Sequence, residues 1–189
     1  MGDRVGGFVI AVLGAESTGK TTLAQALTTA LGEQLKLRTT WVPEWLRTWC
    51  HQNGRTPQRH EQEAIARKQT DLIEVAAACH DVVVCDTTAL MTAVYSQLLF
   101  DDPSLEPLAV QAHARVDLTL LTDLDLPWEA DGLQRDGPHV RQPVDQALRQ
   151  LLMSHQLPWG SVAGLGPQRL ACAMRHAEPS VRRRFQQIS

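Results

Sequence analysis

The sequence predicts an α/β protein: a five-stranded, mostly parallel sheet with helices on both faces. Three observations point there. Short runs of branched apolar residues recur along the chain, too continuous to be half-exposed strands and so suited to a sheet covered on both sides. Segments with helical spacing of apolar residues alternate with these runs, the pattern of strand–helix–strand crossovers. A glycine-bounded turn, GAESTGKT, stands directly between the first apolar run and the first helical segment.

The elements follow in order. FVIAVLG (Phe8 to Gly14) reads as the first strand, and Thr21 to Leu31, with Leu23, Leu27, Ala30 and Leu31 in helical register, as the first helix, stopped by Gly32. RTTWVPE gives a short second strand, ended by Pro43. A long helix is expected across RTPQRHEQEAIARKQTDLIEVAAACH, where Ile65, Gln69, Leu72, Ile73, Ala76 and Cys79 share a register. DVVVCDTT is a third strand, followed by helices at about Leu90 to Leu99 and Ser104 to His113. VDLTLLT is the fourth strand. LPWEADGLQRDGPHVRQP then has no periodicity and is rich in Gly, Pro and charge, as in a functional lid. The helix VDQALRQLLMSHQ, the strand LPWGSVAG and the helix GPQRLACAMRHA complete the order. No repeat, low-complexity linker or second domain is visible, so residues 1–189 are expected to form a single domain with a lid at about 127–142.

Composition narrows the functional classes. Across 189 residues the formal net charge is -3, which gives no global attraction to nucleic acid or anionic membrane. The arginines of VRRRF near the C-terminus read as a solvated helix end. Cys50, Cys79, Cys85 and Cys172 form no C-x-x-C pair, consistent with free thiols in a reducing cytoplasm. No signal peptide and no span-length apolar stretch is present. The histidines show no metal-binding spacing.

In such sheets ligands bind beyond the carboxyl ends of the strands, and the chemically suggestive residues fall there. Gly14 to Thr21 satisfies G-x-x-x-x-G-K-[ST] between a buried strand and a helix, the context a phosphate-binding loop requires. Backbone N–H groups of Gly14, Glu16, Ser17, Thr18 and Gly19, with Thr22 just beyond, would wrap the phosphates of a nucleotide. Lys20 would reach the outer phosphates, and the Thr21 hydroxyl would ligate Mg²⁺. Asp86, ending the third strand, suits the partner acid for that metal or a helix N-cap, a task open equally to Thr87 and Thr88. Glu44, ending the second strand, can take the proton of an attacking hydroxyl or form a surface ion pair; Arg47, a helical turn later, can pair with it or with a phosphate. The lid carries Asp131, Arg135, Asp136 and Arg141, and spacing does not choose which arginine would act. Gln69 could pair with a planar amide or simply mark a helix boundary, and Trp45, Trp49 and Trp128 could stack on a ring or belong to the core.

GAESTGKTTL, WVPEWLR, the helix with IARKQ, VVVCDTTALMTAVYSQLLF and above all LLTDLDLPWEADGLQRDG together resemble the nicotinamide riboside kinase domain of NadR-type proteins, from about Phe8 to Ala177. The resemblance implies an ATP- and Mg²⁺-dependent kinase that phosphorylates the ribose 5′-hydroxyl of nicotinamide riboside, giving nicotinamide mononucleotide. It implies that Lys20 and Thr21 hold ATP and magnesium, that Asp86 is the magnesium acid, and that Glu44 is the general base, followed by Arg47. Gln69 and Trp128 would shape the riboside pocket, and Asp131 and Arg135 would act from the lid. The chain departs from the family at Thr88, where a second acid is usual, and at Trp45, where tyrosine is frequent. The expectation is a stand-alone cytoplasmic kinase of a small nucleoside, able to form homo-oligomers, with no membrane or nucleic-acid partner. The rival readings are a kinase of another nucleoside, a nucleotide-dependent regulatory ATPase, and a degenerate kinase that senses the riboside.

Overall fold

The computed structural model describes residues 6–129 and 137–186. Strands β1 (Phe8–Leu13), β2 (Thr39–Val42), β3 (Val82–Asp86), β4 (Leu118–Thr122) and β5 (Gly160–Val162) form one sheet in the order β2-β3-β1-β4-β5. Every pairing is parallel, so the sheet is more uniform than the mostly parallel one expected. Between the strands run helices α1 (Lys20–Leu35), α2 (Trp45–Asn53), α3 (Gln62–Cys79), α4 (Ala89–Phe100), α5 (Glu106–His113), α6 (Arg141–Ser154) and α7 (Pro167–Gln186).

The central strand explains the layering. Every residue of β1 is buried, and alternate side chains serve opposite layers. Ile10 and Val12 pack with α1 and α7 through Leu23, Leu27, Ala173 and Ala177. Ala11 and Leu13 pack with Leu90, Val94 and Leu148 of α4 and α6, while Val9 joins Ile73 of α3. Each Leu, Ile or Val removed from water in this way stabilises the fold by about 1.5–3 kcal/mol.

The structure corrects several element boundaries. Helix α1 does not stop at Gly32 but continues to Leu35, capped by Lys36 in the left-handed region (φ 55°). Gly32 serves a close approach instead: a Cβ there would lie 2.6 Å from Thr39 Oγ1 of β2. The second strand ends at Val42, before Pro43 and Glu44, and α2 starts directly after them. Helix α6 begins at Arg141, so the last two residues of the segment expected as a lid at 127–142 are helical. Helix α7 extends past Ala177 to Gln186 despite the internal Pro179. Proline removes an N–H donor, but Ala177 and Val181 are fully buried on either side of it, and that packing carries the helix through. The tail arginines thus lie on its last turns, where Arg182 pairs with Glu178 at 2.8 Å. All four cysteines are free thiols, and burial, aided by the neighbouring Asp86 charge, pushes the Cys85 thiol far up.

Candidate functional site

The turn between β1 and α1 is built to hold an anion. Gly14 has φ 148°, and a Cβ at that position would lie 2.1 Å from Thr122 Oγ1, so only glycine fits. Thr122 is itself fixed, 3.0 Å from the Leu13 carbonyl and 2.7 Å from the Thr18 hydroxyl, which donates to the Ala15 carbonyl (2.8 Å). Ser17 (φ 53°) and Gly19 (φ 74°) are left-handed, a geometry that turns successive N–H groups toward one point. Gly19 is the N-cap of α1 and supplies no side-chain acceptor, leaving the first N–H groups of that helix aimed at the same place. Lys20 Nζ donates to the Ala15 carbonyl at 2.7 Å, folding its charge back over the turn. Thr22 is exposed on the outer side of the helix.

Behind the turn, the Thr21 hydroxyl donates to Asp86 Oδ2 at 2.5 Å. The other oxygen, Asp86 Oδ1, is buried with no hydrogen-bond partner. A carboxylate oxygen in that condition, beside a threonine hydroxyl and a phosphate nest, fits the oxygen-donor set of a magnesium ion. The N-cap of α4 is Thr88, whose hydroxyl accepts from Leu90 N at 3.3 Å, so Asp86 is not used for capping. Thr88 also meets His113 Nδ1 (3.3 Å), and His113 Nε2 meets Thr119 Oγ1 (2.8 Å). Burial lowers the His113 pKa to about 4, keeping this internal chain neutral. The residue standing where the family usually has a second acid is therefore wired into the core.

Glu44 is the N-cap residue of α2, yet its side chain makes no capping bond. It lies 3.9 Å from Arg47 Nε, with its side chain 13% exposed. Glu44 and Arg47 line a cavity of about 600 Å³ together with Glu16 and Lys20 of the phosphate turn. Gln69 takes a different place from the pocket wall expected of it. It is buried, its Oε1 accepts from Trp45 N (2.7 Å), and its Nε2 donates to the Pro43 carbonyl (3.4 Å). It clasps the turn on both sides of Glu44 and does not line the cavity.

The tryptophans are also placed elsewhere. Lys68 Nζ sits 5.7 Å from the Trp45 ring centre, and the Arg55 guanidinium 4.9 Å from that of Trp49. Trp128 is half-buried outside the cavity lining, next to Glu129, whose backbone meets the Ser17 hydroxyl (Ser17 Oγ to Glu129 O, 2.7 Å). Asp131, Arg135 and Asp136 lie outside the described residues. Arg141 is buried in the first turn of α6, donating to the Leu126 carbonyl at 2.9 Å.

Sequence reasoning missed the far wall of the cavity: Pro57, Gln58 and Gln62 before and at the start of α3, and Tyr95, Leu99 and Phe100 of α4. The aromatic surface expected from tryptophan is supplied by Tyr95 and Phe100. Tyr95 and Phe100 lie in the run VVVCDTTALMTAVYSQLLF, but nothing in their spacing separates a cavity wall from core. Among the described residues no cluster of three or more His, Cys, Asp or Glu could hold a metal, and no helix is long and apolar enough to cross a membrane.

A parallel sheet whose central strand feeds a phosphate nest, with a carboxylate at the end of its neighbour, defines an α/β domain of the phosphate-loop nucleotide-binding class. Within that class, the AAA domain family matches residues 9–169, and the chain belongs to that family. A search of curated proteins by sequence gives no match. By structure, the chain is similar to the NadR protein in complex with NR (TM-score 0.73, 21% identity), covering 91% of this chain and 52% of that one. It is likewise similar to the NadR protein in complex with NAD and AMP-PNP (TM-score 0.70, 21% identity, 91% and 50% covered). The chain spans about half the length of those NadR chains, and the likeness is one of fold. The NadR-type resemblance read from the sequence is thus met at the level of architecture.

Proposed function

We propose that this domain transfers the γ-phosphoryl group of ATP to the 5′-hydroxyl of nicotinamide riboside, giving nicotinamide mononucleotide and ADP. The observation that carries this reading is the shared cavity: Lys20 of the phosphate turn and the Glu44 carboxylate line one space of about 600 Å³, large enough for a nucleoside. An NTPase without a small acceptor has no need of such a chamber.

In this scheme the nest from Gly14 to Gly19 and the start of α1 hold the phosphates, and Lys20 neutralises charge on the migrating group. Thr21 and Asp86 would hold Mg²⁺, which would supply further neutralisation of phosphate charge. Glu44 accepts the proton of the riboside hydroxyl as its oxygen bonds to phosphorus and the bond to the departing ADP breaks. Arg47, 3.9 Å from the Glu44 carboxylate, helps orient it, and Gln69 fixes the turn that presents it.

The test is a product assay with ATP, Mg²⁺ and a panel of ribosides. Nicotinamide mononucleotide formed faster than any other nucleotide is the expected result. Phosphate release with no phosphorylated riboside would overturn the reading. Glu44→Gln should lower kcat by about 10²–10⁴-fold while leaving ATP affinity unchanged; full turnover in that variant would remove Glu44 as the base.

A further inference from the structure

A side-chain oxygen of the cavity lining is left without a hydrogen-bond partner. Gln62, the first residue of α3, lines the cavity and is only 2% exposed, yet its Oε1 is buried with no hydrogen-bond partner. Buried amides are nearly always satisfied, and one left unpaired in the lining of a chamber marks a place for a ligand's polar group.

The surroundings say what kind of group. The segment leading to Gln62 is held firmly: Glu61 receives both guanidinium arms of Arg55 (2.7 Å each), and its Oε2 accepts from Gln58 N (2.8 Å). The Arg55 hydrogen bonds, joined by that of the Gln58 backbone, hold the Glu61 carboxyl at about 2, so it stays ionised and matched to Arg55. The two arginines that precede Gln62 are therefore both engaged, Arg55 by Glu61 and Arg59 by Asp102 (2.7 Å), and this segment offers neither of them to an acid. The lining also includes Tyr95, Leu99 and Phe100 of α4, largely apolar side chains suited to contact with a planar ring.

We infer that Gln62 is a specificity-determining residue that recognises a neutral carboxamide on the ring of the acceptor and disfavours the corresponding carboxylate. A primary carboxamide returns an N–H to the glutamine oxygen and accepts from its NH₂, and it does so whichever way round the side chain sits. A carboxylate accepts only, so it leaves the glutamine oxygen facing an anion inside the cavity. This inference rests on the kinase reading above and names the chemistry by which that site selects its substrate.

The experiment compares kcat/KM for nicotinamide riboside and for its carboxylate analogue, nicotinic acid riboside. The unmodified protein should favour the carboxamide by about tenfold or more. Gln62→Met, similar in shape but unable to pair, should bring the two within about threefold, mainly through KM for the carboxamide, with ATP affinity unchanged. Gln62→Glu accepts from a carboxamide but repels a carboxylate, so it should keep or sharpen the preference, and it carries the test if the apolar variant fails to fold. A wild-type preference retained in Gln62→Met, or no preference in the unmodified protein, overturns the inference. If neither riboside is phosphorylated, the kinase reading fails by itself. The subsite is then read by titrating the protein with benzamide and with benzoate: binding of benzamide alone, lost in Gln62→Met, upholds it, and equal or absent binding overturns it.

Discussion

Gln69 uses both ends of its amide on the backbone around Glu44, accepting from Trp45 N and donating to the Pro43 carbonyl. Gln69→Ala leaves those groups unpaired in a largely buried turn, which costs about 1–3 kcal/mol of stability. If Glu44 is the base, the same change should lower kcat about tenfold with little change in KM for ATP; Gln69→Glu, which keeps the acceptor for Trp45 N, should retain more activity than the alanine variant. Steady-state kinetics with a melting curve on both variants checks this. At Asp86 the test is metal dependence: Asp86→Asn should weaken Mg²⁺-dependent nucleotide binding about tenfold or more and leave metal-free binding nearly unchanged, measured by calorimetry with and without chelator. Individual residues were legible in the sequence where their partners are local or fixed by a motif. Lys20 and Thr21 follow from the spacing of a turn between a strand and a helix, and Asp86 from its place at the end of an apolar strand. The partners of Gln69 lie 24 and 26 positions away, and Gln62 gains its meaning only when α4 closes the opposite wall, so neither role could be read from spacing.

The elements show a different balance. Apolar runs and helical periodicity mark the strands and long helices, because burial of one face enforces the pattern. Helix α2 leaves only a faint mark in the sequence, since it is short and only Cys50 on it is buried. Gly32 misled because glycine serves close approach as readily as termination: its missing Cβ makes room for Thr39. Gly32→Ala alone should therefore destabilise the protein, while Gly32→Ala with Thr39→Ala should recover the loss and add helix propensity of up to about 1 kcal/mol. Denaturant unfolding of both variants decides it. The segment from Arg55 to Gln62 is likewise one mechanical piece. Glu61→Ala removes the Arg55 pair and the capping box together, and should raise KM for the acceptor several-fold while leaving ATP binding untouched.

At the scale of the molecule, acid sensitivity has an identifiable source. His113 is buried and its pKa is lowered to about 4. Above about pH 6.5 the imidazole is neutral folded and unfolded and adds no pH dependence. As pH falls from there toward 4, the unfolded chain takes up a proton that the folded one refuses, and about 3 kcal/mol of stability is lost. Below that both states are protonated and the loss is complete. His113→Gln should flatten the melting temperature over pH 4–6.5 relative to the unmodified chain. Burial of the sheet on both faces, though not the order of its strands, was implied by the sequence of apolar runs, because continuous apolar strands need cover on both sides. The far wall of the cavity was not, because it joins α4 to a segment separated from it by β3 and the length of α3.

The hydroxyl of Ser17 meets the backbone of Glu129 across 112 positions of chain, joining the crown of the phosphate turn to the segment that leaves β4. Thermodynamic reciprocity gives that small bridge a wide reach. Any free energy by which a bound nucleotide tightens or loosens it is felt in equal measure by a molecule seated against the segment after β4, so the two affinities form one linked quantity. Ser17→Gly, which keeps the left-handed backbone and deletes the hydroxyl, would turn that quantity toward zero. A double titration of nucleotide and of such a molecule, with and without the hydroxyl, would then read that linkage as a single number.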